Sequence, residues 1–344
     1  MKNPATIKEI AQKLNIATST VSRALHNHPS IGLRTKMRVQ KLAGELNYEP
    51  NQAAICFQQK KTATIGVILP ELSESFFSLA FSAVEDTSYK CNYSVFLGQS
   101  HDSEEKEKQI VETMKAKRVD GIIVSLAKST TNYDHFETLK KYDIPVVFFD
   151  RIPNIPDFHC VSCNIESGTL KATNFLLKNG HRIIGMINGP EKLFASQQRM
   201  DGYIKAMRKH PLKFDPDLVV NSDLTREGTE KAMQRLLSLK RKVTALIAFN
   251  DYVALDAIQF AREKNIKINE DITFVSYSNL PMNNHTACPP VASLEQFPYQ
   301  QGQKAAEVLM ELLNKKEDDS YETSYKKIML ESQLAFHQSR FATI

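Results

Sequence analysis

The residues of this 344-residue chain best suited to chemistry with a partner form a short row of hydroxyls with one guanidinium. From about Thr18 to about His26 the spacing predicts a helix with Val21, Ala24 and Leu25 facing inward and Thr18, Ser19, Ser22 and Arg23 facing outward. Hydroxyls reach phosphates or base edges, and Arg can bind guanine at two atoms. A small polar row with one Arg therefore suits a helix lying in the major groove of DNA.

Charge agrees with that partner. Through residue 61 there are ten Lys/Arg against Glu9, Glu45 and Glu49, a net of +7, whereas the remaining residues carry 34 basic and 36 acidic side chains, a net of −2. The whole-chain excess of +5 thus lives in the head, as a phosphate-binding footprint requires.

The elements that must position this row can be read around it. Thr6 is spaced to cap a first helix, with Glu9 three residues on, and Ile7, Ile10, Ala11 and Leu14 share one face. Asn15 stands where the chain must turn sharply, a position at which Asn tolerates positive φ. A third helix is expected from about Leu33 to Asn47, with Met37, Val39, Leu42, Ala43 and Leu46 supplying apolar contacts and Gly32 as N-cap. Pro50 breaks the pattern. Asn51 to Phe57 could form only two helical turns, marginal alone, and is expected to order when DNA and a second copy hold it.

From Thr64 short buried strands alternate with helices. Strands are expected at 65–69, 94–97, 121–124 and 145–149, then in a second series at 183–187, 218–220, 245–248 and 272–276. Such alternation means parallel sheets with crossover helices, and two series predict two doubly wound lobes. Ligands of open α/β sheets sit beyond the carboxyl ends of the strands, so a cleft between the lobes is the expected small-molecule site.

The chain resembles the lactose/galactose-repressor family of bacterial transcription regulators. In the head the resemblance rests on Thr6-Ile-Lys-Glu-Ile-Ala11, Ser19-Thr-Val-Ser-Arg23-Ala-Leu25 and Glu45-Leu-Asn-Tyr-Glu-Pro-Asn51 with Ala54 and Phe57. In the body it rests on Ser75-Phe-Phe77, Val119-Asp-Gly-Ile-Ile123, Ile144 to Arg151, Gly180-His-Arg-Ile-Ile184, Gln198 to Tyr203, Phe249-Asn-Asp251 and Gln301-Gly302. The resemblance implies DNA contact by Thr6, Thr18, Ser19, Thr20, Ser22, Arg23, Asn51 and Ala54. Base reading falls on Thr18, Ser19 and Arg23, and Phe57 is the minor-groove wedge where the family usually has Leu. Ala17 replaces the usual Ser at the start of the reading helix, so Thr18 is expected to take over the cap. The implied effector positions are Phe76, Phe77, Asp150, Arg151, Asn164, Arg199, Asn250 and Ser278. Asn164 and Ser278 stand where the family commonly has Asp. Arg151 and Arg199 are therefore expected to be less neutralised, favouring an anionic sugar derivative or an unusual glycan fragment.

The expected fold is an N-terminal all-α helix-turn-helix head plus an α/β body of two doubly wound parallel-sheet lobes, periplasmic-binding-protein-like, type I. Expected boundaries are 1–49 for the DNA-binding domain, 50–61 for hinge helix and linker, and 62–344 for the effector-binding and dimerisation domain. Within the body the lobe nearest the hinge takes about 62–161 and 292–325, and the distal lobe about 162–291. The chain after Ile328-Met-Leu330 reads as a short tail without a leucine heptad, so a homodimer is expected.

Other features are bland. Five cysteines are an odd set, and Cys160-Val-Ser-Cys163 falls on an expected strand, where positions three apart point to opposite faces. No metal-ligand spacing and no phosphate-binding Gly loop stands out, so neither cofactor nor metal is expected. No apolar run reaches membrane-spanning length, and the chain opens on a polar helix; a cytoplasmic setting is expected. The reading is a non-enzymatic, sequence-specific regulator of transcription that binds pseudo-palindromic operator DNA under control of a sugar-like effector. A solute receptor built on the same body is the alternative, and the +7 head argues against it.

Overall fold

In the computed structural model, residues 5–49, 61–210, 212–315 and 324–337 are described. The chain divides into two compact units, Met1–Thr62 and Ala63–Ile344.

The first unit holds three helices: α1 (Ile7–Leu14), α2 (Thr18–Leu25) and α3 (Leu33–Glu45). The Thr6 hydroxyl accepts from the Glu9 N–H at 3.3 Å, and Asn15 closes α1 in the left-handed region at φ 50°. The core is Ile10, Ala11, Val21, Ala24, Val39 and Ala43, with Ile7, Leu14, Leu25, Leu42 and Leu46 at its rim. Met37, expected among these contacts, is 61% exposed. Val39 and Ala43 lie one turn apart and set the inward face, and Met37, two residues before Val39, is carried to the opposite side.

The second unit contains two six-stranded sheets. In the first, β1 (Thr64–Leu69), β2 (Ser94–Gln99), β3 (Gly121–Val124), β4 (Val146–Phe149), β5 (His159–Cys163) and β11 (Lys327–Leu330) run in the order β11-β5-β4-β3-β1-β2, all parallel. In the second, β6 (Ile184–Asn188), β7 (Val219–Asn221), β8 (Ala245–Ala248), β9 (Thr273–Tyr277), β10 (Ala292–Glu295) and β12 (Gln333–Phe336) run in the order β12-β10-β9-β8-β6-β7. Only β12 is antiparallel in that sheet. The strands are buried runs of Ile, Val, Leu and Phe, as sheets covered on both faces demand.

The chain crosses between lobes after β5, after β10 and after β11. Two expectations need correction here. Residues 292–295, expected in the first lobe, form β10 in the second sheet; the return crossing falls at Gln296–Phe297, where Phe297 takes a positive φ of 55°. The segment read as a bare tail contains β12, which closes the second sheet against β10. Its four residues carry too little periodicity to be read without the strand they pair with.

Two helices bind the crossings to the first sheet: α4 (Ser75–Lys90) and α11 (Pro298–Asn314). They meet backbone to side chain at Gly302, where an added Cβ would stand 2.1 Å from the carbonyl oxygen of Ala80. A backbone atom cannot swing aside as a side-chain tip can. Gly302→Ala should therefore destabilise the body by about 3 kcal/mol, read as a lower thermal midpoint of the body transition.

Candidate functional site

In the first unit the outward row survives folding. Thr18, Ser19 and Arg23 are exposed on α2, Thr20 and Ser22 are half-buried, and Thr6 is exposed at the foot of α1. Ala17 occupies the N-cap of α2 with no side-chain cap, and the backbone N–H of Thr20 donates to the Ala17 carbonyl. Thr18 does not take over the cap: it already lies inside the helix, one residue too late for its hydroxyl to meet the second or third N–H. Asn51, Ala54 and Phe57, expected to read or wedge the minor groove, lie outside the described residues.

In the second unit a cleft of about 540 Å³ opens between the loops after β3 and β4 of the first lobe and the loop after β6 of the second. Its lining includes Lys128, Thr130, Tyr133, Asp150 and Arg151 on one side and Lys192 and Gln198 on the other. Of the eight expected effector positions the structure brings two, Asp150 and Arg151, to this cleft.

The others stand behind or beside it. The Arg151 guanidinium lies 5.3 Å from the centroid of the Phe77 ring, so Phe77 backs it from below. Phe76 is buried in the first-lobe core, which also takes in Leu280 from the second lobe, so this part of the seam is apolar. Asn164 is committed as an N-cap: its Oδ1 accepts from the Ser167 N–H at 3.0 Å, and its Nδ2 donates to Glu331 at 2.8 Å. Asn250 likewise caps α10 (Asp251–Glu263) through the Val253 N–H at 2.9 Å. Ser278 sits at φ 90° after β9, its hydroxyl 3.4 Å from Oε1 of Gln296.

Arg199 is 4% exposed, on α8 (Phe194–Lys209) of the second lobe. Its guanidinium is sandwiched 3.8 Å from the Phe249 ring centroid and 4.3 Å from that of Tyr277. It donates to the carbonyls of Ala195 at 3.0 Å and Phe249 at 3.2 Å, and its Nε has no partner among the described residues. Burial pulls its pKa down to about 10, against the attraction of Tyr277 and Asp150.

Two carboxylates organise the charge. Asp102, in the loop after β2, pairs with Arg151 and lies 3.5 Å from Lys128 Nζ. Burial pushes its pKa up, but Arg151 and the Lys128 N–H outweigh burial and hold it below the usual carboxylate range. The expectation that Arg151 would be poorly neutralised is therefore corrected: Asp102 does the work that Asn164 and Ser278 cannot. Asp150 is the opposite case. Burial pushes it up to about 6, only partly offset by Arg151 and Arg199. Its φ of 57° places a residue with a Cβ in the left-handed region, which aims its carboxyl into the cleft at a conformational cost.

Lys128, Thr130, Tyr133, Lys192 and Asp102 were missed by sequence reasoning. The strand-end rule that points to Asp150 also points to the loops after β2, β3 and β6, but those loops are long, and which of their residues turn inward is a tertiary matter.

The raised Asp150 has a consequence for stability. Between its ordinary value of 3.8 and about 6 the folded chain keeps a proton that the unfolded chain has lost. Stability from this group is thus fully present below pH 4 and is lost as pH rises through 6. Asp150→Asn should raise the thermal midpoint at pH 7.5 and leave it unchanged near pH 4, with the difference opening between those limits in a series of melts.

Comparison with known proteins agrees with this architecture. Residues 6–51 match the family of bacterial regulatory proteins, lacI family, and residues 62–330 match the periplasmic binding proteins and sugar binding domain of the LacI family. The HTH-type transcriptional repressor PurR of Aliivibrio salmonicida (strain LFI1238) is 30% identical over 313 residues, 91% of this chain and 93% of that protein. The HTH-type transcriptional repressor CytR of Escherichia coli (strain K12) is 30% identical over 309 residues, 89% of each. Among solved structures, the Lac repressor dimer bound to operator and the anti-inducer ONPF superposes with a TM-score of 0.81 at 22% identity, covering 97% of this chain and 98% of that one, a likeness of fold. The transcription regulator CcpA of Lactococcus lactis gives a TM-score of 0.71 at 26% identity over 79% of this chain and 96% of that one. With a three-helix reading head, two parallel-sheet lobes around a charged cleft and these matches along its length, the chain belongs to the LacI family of bacterial regulatory proteins and is a DNA-binding transcriptional regulator controlled by a small-molecule effector.

Proposed function

We propose that this chain is a cytoplasmic, homodimeric repressor that reads a pseudo-palindromic operator and is switched by an anionic sugar derivative in the interlobe cleft. On this reading residues 1–49 are the DNA-binding domain and 50–61 the hinge, with Thr6, Thr18, Ser19, Thr20, Ser22, Arg23, Asn51, Ala54 and Phe57 facing DNA. The observation that carries the effector class is the charge of the cleft. Lys128, Arg151 and Lys192 line it, Asp102 is shared between the first two, and Asp150 is a reluctant anion. A phosphate or carboxylate on the ligand supplies the missing negative charge. The match to a sugar binding domain supports the hydroxyl-bearing remainder. Phe77, Asp150 and Arg151 act at or just behind the ligand; Phe76, Asn164, Arg199, Asn250 and Ser278 shape and hold the seam.

The work is done by differential binding rather than catalysis. Effector closes or reorients the lobes, which alters the presentation of the heads. Coupling of about 1–3 kcal/mol would change operator affinity about 5- to 150-fold. A solute receptor with the same body would need no +7 head.

Two measurements check the reading. Arg23→Ala should weaken operator binding by about 1–3 kcal/mol in a gel-retardation titration, with relaxed discrimination at the guanine it reads. Calorimetry against matched neutral and phosphorylated sugars should favour the anionic member, and tight binding confined to neutral hexoses would sink the effector class.

A further inference from the structure

One wall of the cleft is the irregular segment 125–133, which presents Lys128, Thr130 and Tyr133. It is held from behind by the first turn of α5 (Glu104–Ala116) and the residues just before it. Glu107 is fully buried. Its Oε2 accepts from the Ala127 N–H at 2.8 Å. Its Oε1 accepts from the Thr130 hydroxyl at 2.8 Å and lies 3.1 Å from Nε2 of His135. Asp102 accepts from the Lys128 N–H at 3.0 Å and Glu104 from the Thr131 N–H at 2.9 Å, while the Ser129 hydroxyl donates to the Asp102 carbonyl at 2.9 Å. From this frame the Lys128 ammonium reaches 3.4 Å from the Asp223 carbonyl of the other lobe.

Packing alone does not ask for a carboxylate at position 107. An apolar side chain of similar volume would fill the space without the cost of desolvating a charge. A buried acceptor met by three donors instead fixes direction. Because the Thr130 proton is spent on Glu107, the hydroxyl can only accept on its cleft side.

We propose that Glu107 is the positioning residue of the effector-facing wall, and that through it Lys128 and Thr130 determine specificity for a ligand carrying an anion beside a hydroxyl donor. The inference rests on the cleft being the effector site. Glu107 touches no ligand; it orients the two groups that do.

The test needs no identified effector. In the full-length protein, hydrogen exchange of the Ala127, Lys128 and Thr131 amides is compared with wild type for Glu107→Gln and Glu107→Leu, alongside the thermal midpoint and operator binding without sugar. Both variants should speed exchange along 127–131 by about tenfold or more, because a buried charge-assisted bond is lost at each. Amides of α4 and operator affinity should stay unchanged. If wall exchange moves by less than about twofold in correctly folded Glu107→Gln, the inference is overturned, whatever the Leu variant does. If Glu107→Leu melts at the wild-type temperature with a wall as protected as before, the carboxylate was serving packing only, which also overturns it. Loss of operator binding in the wild type would instead remove the regulator reading and leave the exchange result standing.

Discussion

A carboxyl group that does not want its charge sits where the two lobes meet. Asp150 is contributed by the first lobe at the end of β4, and the fields that make its ionisation tolerable come from Arg151 beside it and Arg199 of the second lobe. Neither lobe alone supplies that environment. Arg199 in turn is tolerable at 4% exposure only because two carbonyls and two aromatic faces receive it. Buried groups of this kind draw their cost down through each other, so the energy of the cleft depends on how the lobes are set. That dependence is what a ligand needs if its binding is to favour one arrangement over another.

Around this centre the covalent path matters as much as the charge. Three crossings tie the lobes, and each is braced. Asn164 caps the helix after the first and bonds to Glu331 of the third, while Glu295 receives the Phe297 N–H at 2.6 Å and the Asn279 amide at 2.8 Å beside the second. Leu280 is pressed into the first-lobe core from the second-lobe side. Asp251 is fully buried and accepts from Ser293 at 2.7 Å and the Leu280 N–H at 2.6 Å, fixing the loop that carries this contact. Motion between lobes is therefore confined to a few strand-end residues, several already at positive φ (Ser278, Asn279 and Phe297).

The positions carried over from the family divide according to this bracing. Asp150 and Arg151 face the cleft, whereas Asn164 and Asn250 spend their side chains on helix N-termini. Asn caps a helix as well as Asp does, so loss of the carboxylate at position 164 leaves the brace intact. Neutralisation of Arg151 passed to Asp102, a residue that no strand pattern singles out because it turns inward from a loop at φ 58°.

Local chemistry was enough for the head and for the strands. Thr6, Asn15 and the inward faces of α1 and α2 follow from spacing, and the alternation of buried strands with helices follows from the need to cover both faces of a parallel sheet. The concentration of positive charge before residue 62 is a property of the sequence alone. Met37, the place of 292–295 and the strand 333–336 were decided by partners distant in the chain, as were the inward turn of Lys128 and the burial of Glu107. A side chain on a long loop has no period from which its direction can be read. It is aimed only when another element offers a donor, an acceptor or a space, and that offer exists only in the folded chain.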